Sequence, residues 1–72
     1  MIIRVQDESA IYDFEKSFCV YATENGEVYL MGYTGERAYL LGTYKNEERA
    51  KEVIKEIFAL CDCNSRYDMP IV

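Results

Sequence analysis

Between Phe18 and Tyr44 apolar residues occupy both odd and even positions, with two short polar breaks. Segments rich in β-formers and bounded by glycine-containing turns read as strands. Ser17–Thr23 is the first, and Glu27–Tyr33 returns after Asn25-Gly26. That pair suits a two-residue type I′ turn, whose central residues both need positive φ. Thr34-Gly35-Glu36-Arg37 supplies a second tight turn, and Ala38–Tyr44 makes a third strand. The pattern predicts a three-stranded antiparallel meander.

If Asn25-Gly26 and Gly35-Glu36 are both two-residue loops, opposite residues share a face. One face then carries Phe18, Val20, Ala22, Tyr29, Met31, Tyr33, Ala38 and Leu40. The other carries Cys19, Tyr21, Val28, Leu30, Tyr39 and Leu41. A second turn longer by one residue would swap the last strand between the faces without making either polar. Both faces therefore need cover.

Past the meander the period changes from two to 3.6. Ala50, Val53, Ile54, Ile57, Phe58 and Cys61 follow the spacing of one buried helical stripe. Asn46 is placed to cap the helix, with Glu47 and Glu48 in the first turn where the macrodipole favours negative charge. Glu47, Lys51, Glu52, Lys55 and Glu56 lie off the stripe, and Glu47–Lys51 can pair across one turn. The helix is expected to end between Leu60 and Cys63. On the flanks, Ile2–Gln6 predicts a short strand and Asp7-Glu8-Ser9 a turn. Ala10–Lys16 is irregular or short extended structure, and Tyr67–Met69 is a short edge strand that Pro70 would stop. The expected fold class is α+β: a three- to five-stranded antiparallel β-meander with one C-terminal α-helix packed on one face, in a single domain, 1–72. One helix covers one face, so the other is expected to meet a second copy, a partner or a ligand.

Length sharpens that expectation. A chain of 72 residues buries only roughly 60% of its unfolded surface, and domains of this size often add disulfides, a metal or oligomerisation. The three cysteines, Cys19, Cys61 and Cys63, leave an odd thiol, and there is no histidine to complete a zinc site. Free thiols, with no signal-like N-terminus and no apolar run near ~20 residues, fit a cytoplasmic protein. Self-association is the favoured stabiliser. Thirteen acidic against eight basic residues give a formal charge of −5, which disfavours direct nucleic-acid binding and anionic membranes.

Candidate chemistry is sparse. Cys61-Asp62-Cys63 offers half a zinc site, and a buried Cys61 followed by a turn Cys63 explains it as well. Without histidine, acid–base chemistry would need a strongly perturbed carboxylate, lysine or cysteine. The glycines are isolated and form no phosphate loop, although Gly32 and Gly42 within strands mark a bulge or a close backbone approach. No enzyme activity, metal or cofactor is expected. The seven tyrosines are the better lead, because tyrosine brings large contact area with few rotors to freeze. Tyr21, Tyr29, Tyr33 and Tyr39 on the meander are candidates for an aromatic interface or a pocket that stacks a planar ligand. Arg4, Arg37 and Arg66 could meet the phosphates of a nucleotide-like ligand. An ordinary strand tyrosine or a solvated charge explains each of them equally well.

The opening Ile3-Arg4-Val5-Gln6-Asp7, Gly42-Thr43-Tyr44 with the following run Asn46–Ile57, and the closing Tyr67-Asp68-Met69-Pro70 resemble a group of small phage and prophage accessory proteins of Gram-positive bacteria. The resemblance implies a non-enzymatic, self-associating module in the host cytoplasm. Its expected role is counter-defence by sequestering a small anionic or nucleotide-like ligand. The alternative is an acidic inhibitor of a host defence nuclease or another host protein.

Overall fold

The computed structural model describes residues 2–13, 17–32, 37–60 and 66–72. The fold is α+β, with strands β1 (Ile2–Arg4), β2 (Ile11–Asp13), β3 (Ser17–Ala22), β4 (Glu27–Gly32), β5 (Ala38–Thr43) and β6 (Arg66–Asp68), and one helix, α1 (Glu47–Leu60). The described strands form two three-stranded sheets, β2-β1-β6 and β3-β4-β5. The second is the expected meander. The first is a correction: β1 lies between antiparallel β2 and parallel β6, so the chain is not one sheet with a helix at its end. No described helix is long and apolar enough to cross a membrane.

The first hairpin differs from the two-residue reading. Gly26 N–H donates to Thr23 C=O, and Thr23 N–H donates to Glu27 C=O. The loop is therefore the three residues Glu24-Asn25-Gly26, and only Gly26 takes positive φ, at 85°. This is the turn-plus-bulge alternative for a short hairpin. Its cause is tertiary: Gly26 C=O accepts from Tyr44 N–H at 2.8 Å, pinning the turn against the segment that leads into α1.

One extra loop residue moves β3 to the other parity. Val20 and Ala22 pair with Leu30 and Val28 on the inner face, whereas Cys19 and Tyr21 pair with Met31 and Tyr29 on the outer face. The expected sharing between β4 and β5 holds, with Tyr29, Met31, Ala38 and Leu40 on one face. The assumed loop at Gly35-Glu36 falls outside the described residues. Both strand glycines lie beside register shifts, one between Ser17 and Cys19 opposite Gly32, the other between Val28 and Tyr29 opposite Gly42. The second makes Leu41 the extra residue on β5 and directs it into the core, where it is 1% exposed.

Asn46 caps α1 as expected, its Oδ1 accepting from Arg49 N–H at 2.9 Å. Ala50, Val53 and Ile57 are buried and Ile54 is partly so. Phe58 is a correction: it is 77% exposed. Side chains three and four apart share a helical face, and the buried line runs 50–53–57, leaving Phe58 one turn beyond Ile54 on its flank. Cys61 and Cys63 lie outside the described residues.

The core is where three layers meet. Val28, Leu30 and Leu41 of the meander pack with Ala50, Val53 and Ile57 of α1, and with Ile3, Val5, Tyr67 and Met69 from β1, β6 and the segments that follow them. Cover for the inner face thus comes from a helix and a second sheet. Gln6 N–H donates to Leu41 C=O at 2.7 Å and ties the two sheets together at the β5 edge.

Candidate interaction surface

Three strands present their outward side chains in rows: Cys19, Met31 and Ala38, then Tyr21, Tyr29 and Leu40. None belongs to the core or packs against it. Leu40 is 46% exposed and Ala38 is exposed, while the other four are half-buried. Tyr21 and Tyr29 stack with centroids 5.6 Å apart and planes 21° from parallel. Tyr29 donates its hydroxyl to Glu27 Oε2 at 3.2 Å, and Thr23 donates its own to Glu27 Oε1 at 3.3 Å. Partial burial raises the Tyr29 phenol above its ordinary pKa, and the bond and charge of Glu27 push it the same way. Two rings are thus held against one another on an uncharged surface, with a carboxylate at its rim. Rigid aromatic area of this kind costs little entropy to bury against a partner.

Tyr39 is not on this surface. It projects to the inner side opposite Leu30 and packs at a tilt against Tyr12, with centroids 5.0 Å apart and planes 36° from parallel. Tyr33 falls outside the described residues. The candidate tyrosines that the fold brings together are Tyr21 and Tyr29.

The arginines are elsewhere. Ile2 aligns with Asp13 and Arg66, and Arg4 with Ile11 and Asp68, so all six share the outer face of the first sheet. A cleft of about 340 Å³ lies there, lined by Ile2, Arg4, Ile11, Arg66 and Asp68. Arg4 is already engaged, 3.3 Å from Asp68 and 3.8 Å from Glu8. Arg37 stands exposed just before β5, where its carbonyl accepts from Gly32 N–H. Arg4 and Arg66 therefore share a cleft with two isoleucines and an aspartate, without a candidate tyrosine among its lining residues.

Three structural contacts carry no signal in the sequence pattern. Gln6 spans 37 positions to pair with Thr43, its Oε1 accepting from Thr43 N–H at 2.8 Å and its Nε2 donating to Thr43 C=O at 3.1 Å. Tyr44 donates to Pro70 C=O at 2.8 Å, beneath the guanidinium of Arg49 at 5.7 Å. Tyr67 donates to Glu56 Oε1 at 2.9 Å, and its burial first, then that bond, raises its pKa. These are scaffold contacts. Period and turn residues report local structure, and each of these bonds joins segments distant in sequence.

No protein-family model, curated protein or solved structure matches the chain significantly.

Proposed function

We propose that the chain is a non-enzymatic, self-associating binding module whose target surface is the outer face of β3-β4-β5. The observation that carries the reading is the continuous uncharged set Cys19, Tyr21, Tyr29, Met31, Ala38 and Leu40, none of it engaged with the core. Exposed apolar patches on small proteins mark contact sites more often than structural need. The target is a protein, because the surface is broad and two of the three arginines that would hold phosphates, Arg4 and Arg66, stand on the other sheet, leaving Arg37 alone beside β5. The resemblance to phage accessory proteins supplies the setting, a host cytoplasm in which the target is a host defence component. Capture from the producing cell tests this reading, with wild type and Leu40→Lys compared at equal melting temperature. A stoichiometric partner held by wild type and lost by the variant is expected; equal capture by both would overturn the proposal.

A second reading keeps the small anionic or nucleotide-like ligand and places it in the cleft of the first sheet. Its support is the joint presence there of Arg4 and Arg66. An anion would have to compete with Asp68 for Arg4, at a distance typical of an exposed pair worth about 0–1 kcal/mol. A thermal-shift panel of linear and cyclic nucleotides tests it. A shift abolished by Arg66→Ala supports it, and a flat panel removes it.

A further inference from the structure

The two long edges of the meander are finished differently. Along β5 the carboxamide of Gln6 occupies the N–H and C=O of Thr43, and Gln6 N–H occupies Leu41 C=O. Along β3 there is no counterpart among the described residues. Thr23 and Glu27 form a hydrogen-bonded pair, and such pairs alternate along an antiparallel ladder. Tyr21–Tyr29 and Cys19–Met31 are then bonded pairs as well, and the main-chain groups of Val20 and Ala22 point away from β4. They bond to no described residue. Ser17–Ala22 also contains no charge and no proline, two of the devices that keep an edge from pairing, and its one register shift lies at the Ser17 end, away from Val20 and Ala22.

The helix above this edge has an exposed apolar flank on the same side. Helix α1 lies over β3 and β4. One flank faces the first sheet and the C-terminal segment: Arg49 donates to the Val72 main-chain oxygen at 3.0 Å, and Glu56 accepts from Tyr67. At about 100° per residue, Ile54 and Phe58 fall on the opposite flank, towards the β3 edge. Phe58 is 77% exposed there.

We propose that two copies of the chain pair antiparallel through β3, making one six-stranded sheet with the two helices side by side across a two-fold axis. A foreign extended peptide could satisfy Val20 and Ala22 but would leave Phe58 in water. A second copy covers both, because the strand that joins β3 brings its own helix, with its own Ile54 and Phe58, against the first. This is the self-complementary geometry of a two-fold interface. The chain carries a formal charge of −5, and two like-charged copies meet most easily along a segment without charge. Pairing at the edge also leaves the outer face free and doubles it, merging the Tyr21 and Tyr29 surfaces of both copies.

The inference rests on the reading of the chain as a self-associating module, and the test separates the two. Sedimentation equilibrium of wild type, Phe58→Glu and Leu40→Lys is combined with amide exchange at two protein concentrations. Wild type is expected to dimerise, with Val20 and Ala22 amides exchanging more slowly at the higher concentration. Phe58→Glu, at an exposed site that leaves the fold intact, is expected to weaken the dimer by at least roughly tenfold. Leu40→Lys is expected to leave it unchanged. A dimer lost in Leu40→Lys but kept in Phe58→Glu would overturn the β3 interface and leave self-association standing. A wild-type monomer at tens of micromolar would overturn both.

Discussion

The side chain of Gln6 pairs with the main chain of Thr43 as a strand residue would, accepting from its N–H at 2.8 Å and donating to its C=O at 3.1 Å. The same Nε2 donates to Ile71 C=O at 2.7 Å, so one carboxamide closes the β5 edge and holds the C-terminal segment. A carboxamide carries a donor and an acceptor in the geometry of a peptide, which no other side chain except asparagine provides. Gln6→Ala should cost about 0.5–1.5 kcal/mol, because these exposed main-chain groups exchange the carboxamide for water. Gln6→Glu should restore little, since a carboxylate can accept from Thr43 N–H but faces two carbonyl oxygens without a donor. Urea midpoints of the three proteins check this, and a midpoint for Gln6→Glu equal to wild type would contradict it.

Three positions separate backbone geometry from packing. Gly26 has φ +85°, and a Cβ there would collide with the Tyr44 carbonyl and come within 2.9 Å of the Asn46 carbonyl. Both obstacles are main chain and cannot rotate away. Gly26→Ala should therefore destabilise by more than the roughly 1–2 kcal/mol of left-handed backbone strain alone. At Gly32 a Cβ meets nothing within 4 Å, and Gly32→Ala should be nearly neutral. Glu8 adopts φ 64° in the turn closed by Ser9 N–H to Asp7 Oδ1. Glu8→Gly should stabilise by up to about 1 kcal/mol, less the small worth of the exposed Arg4–Glu8 pair. Chemical denaturation of the three variants should rank them Glu8→Gly, Gly32→Ala, Gly26→Ala from most to least stable.

The helix start offers a cleaner test of local chemistry. Asn46 Oδ1 accepts from Arg49 N–H, and the Asn46 C=O accepts from Ala50 N–H at 3.2 Å. Asn46→Ala should cost about 0.5–2 kcal/mol and Asn46→Asp almost nothing, since aspartate caps equally well. Thermal melts of both variants would show it. Equal losses would mean that the cap contributes through something other than its acceptor oxygen.

Asn46 also shows what could be read from the chain in advance. The cap, the stripe Ala50–Val53–Ile57 and the meander all rest on contacts within a few residues or across short turns, and each leaves a periodic trace. The first hairpin loop does not. Asn25-Gly26 serves a two-residue or a three-residue loop equally well, because Gly26 needs positive φ in either. The bond from Tyr44 N–H to Gly26 C=O fixes the choice, and with it the face on which Tyr21 stands. The split into two sheets was equally hidden, because β1 and β6 pair across nearly the whole chain. That split explains why the tyrosine and arginine candidates part company. Residue type alone carries no position, and the fold places Tyr21 and Tyr29 on one sheet and Arg4 and Arg66 on the other. The uncharged face itself survived, since neither parity of β3 could make it polar.

The buried phenol of Tyr44 gives stability a dependence on alkaline pH. Its ring is 5% exposed and its hydroxyl donates to Pro70 C=O at 2.8 Å. Burial raises its pKa to about 12, against the opposing pull of the Arg49 guanidinium and with added push from Glu56. In the unfolded chain the same phenol titrates near ~10. Below that value both states hold the proton, and the group adds no pH dependence. Between about 10 and 12 the unfolded state has released the proton while the folded state retains it, so stability falls as pH rises. Tyr67 is raised in the same direction by burial and Glu56. The slope of unfolding free energy against pH should therefore approach about two protons from these two phenols in this window, with a smaller contribution of the same sign from Tyr29. Tyr44→Phe should remove about one of them, at a cost near neutral pH of roughly 1 kcal/mol for the bond to Pro70. Urea titrations of both proteins from neutral pH to beyond pH 11 measure the two slopes. Parallel slopes would show that the Tyr44 phenol ionises without unfolding the chain.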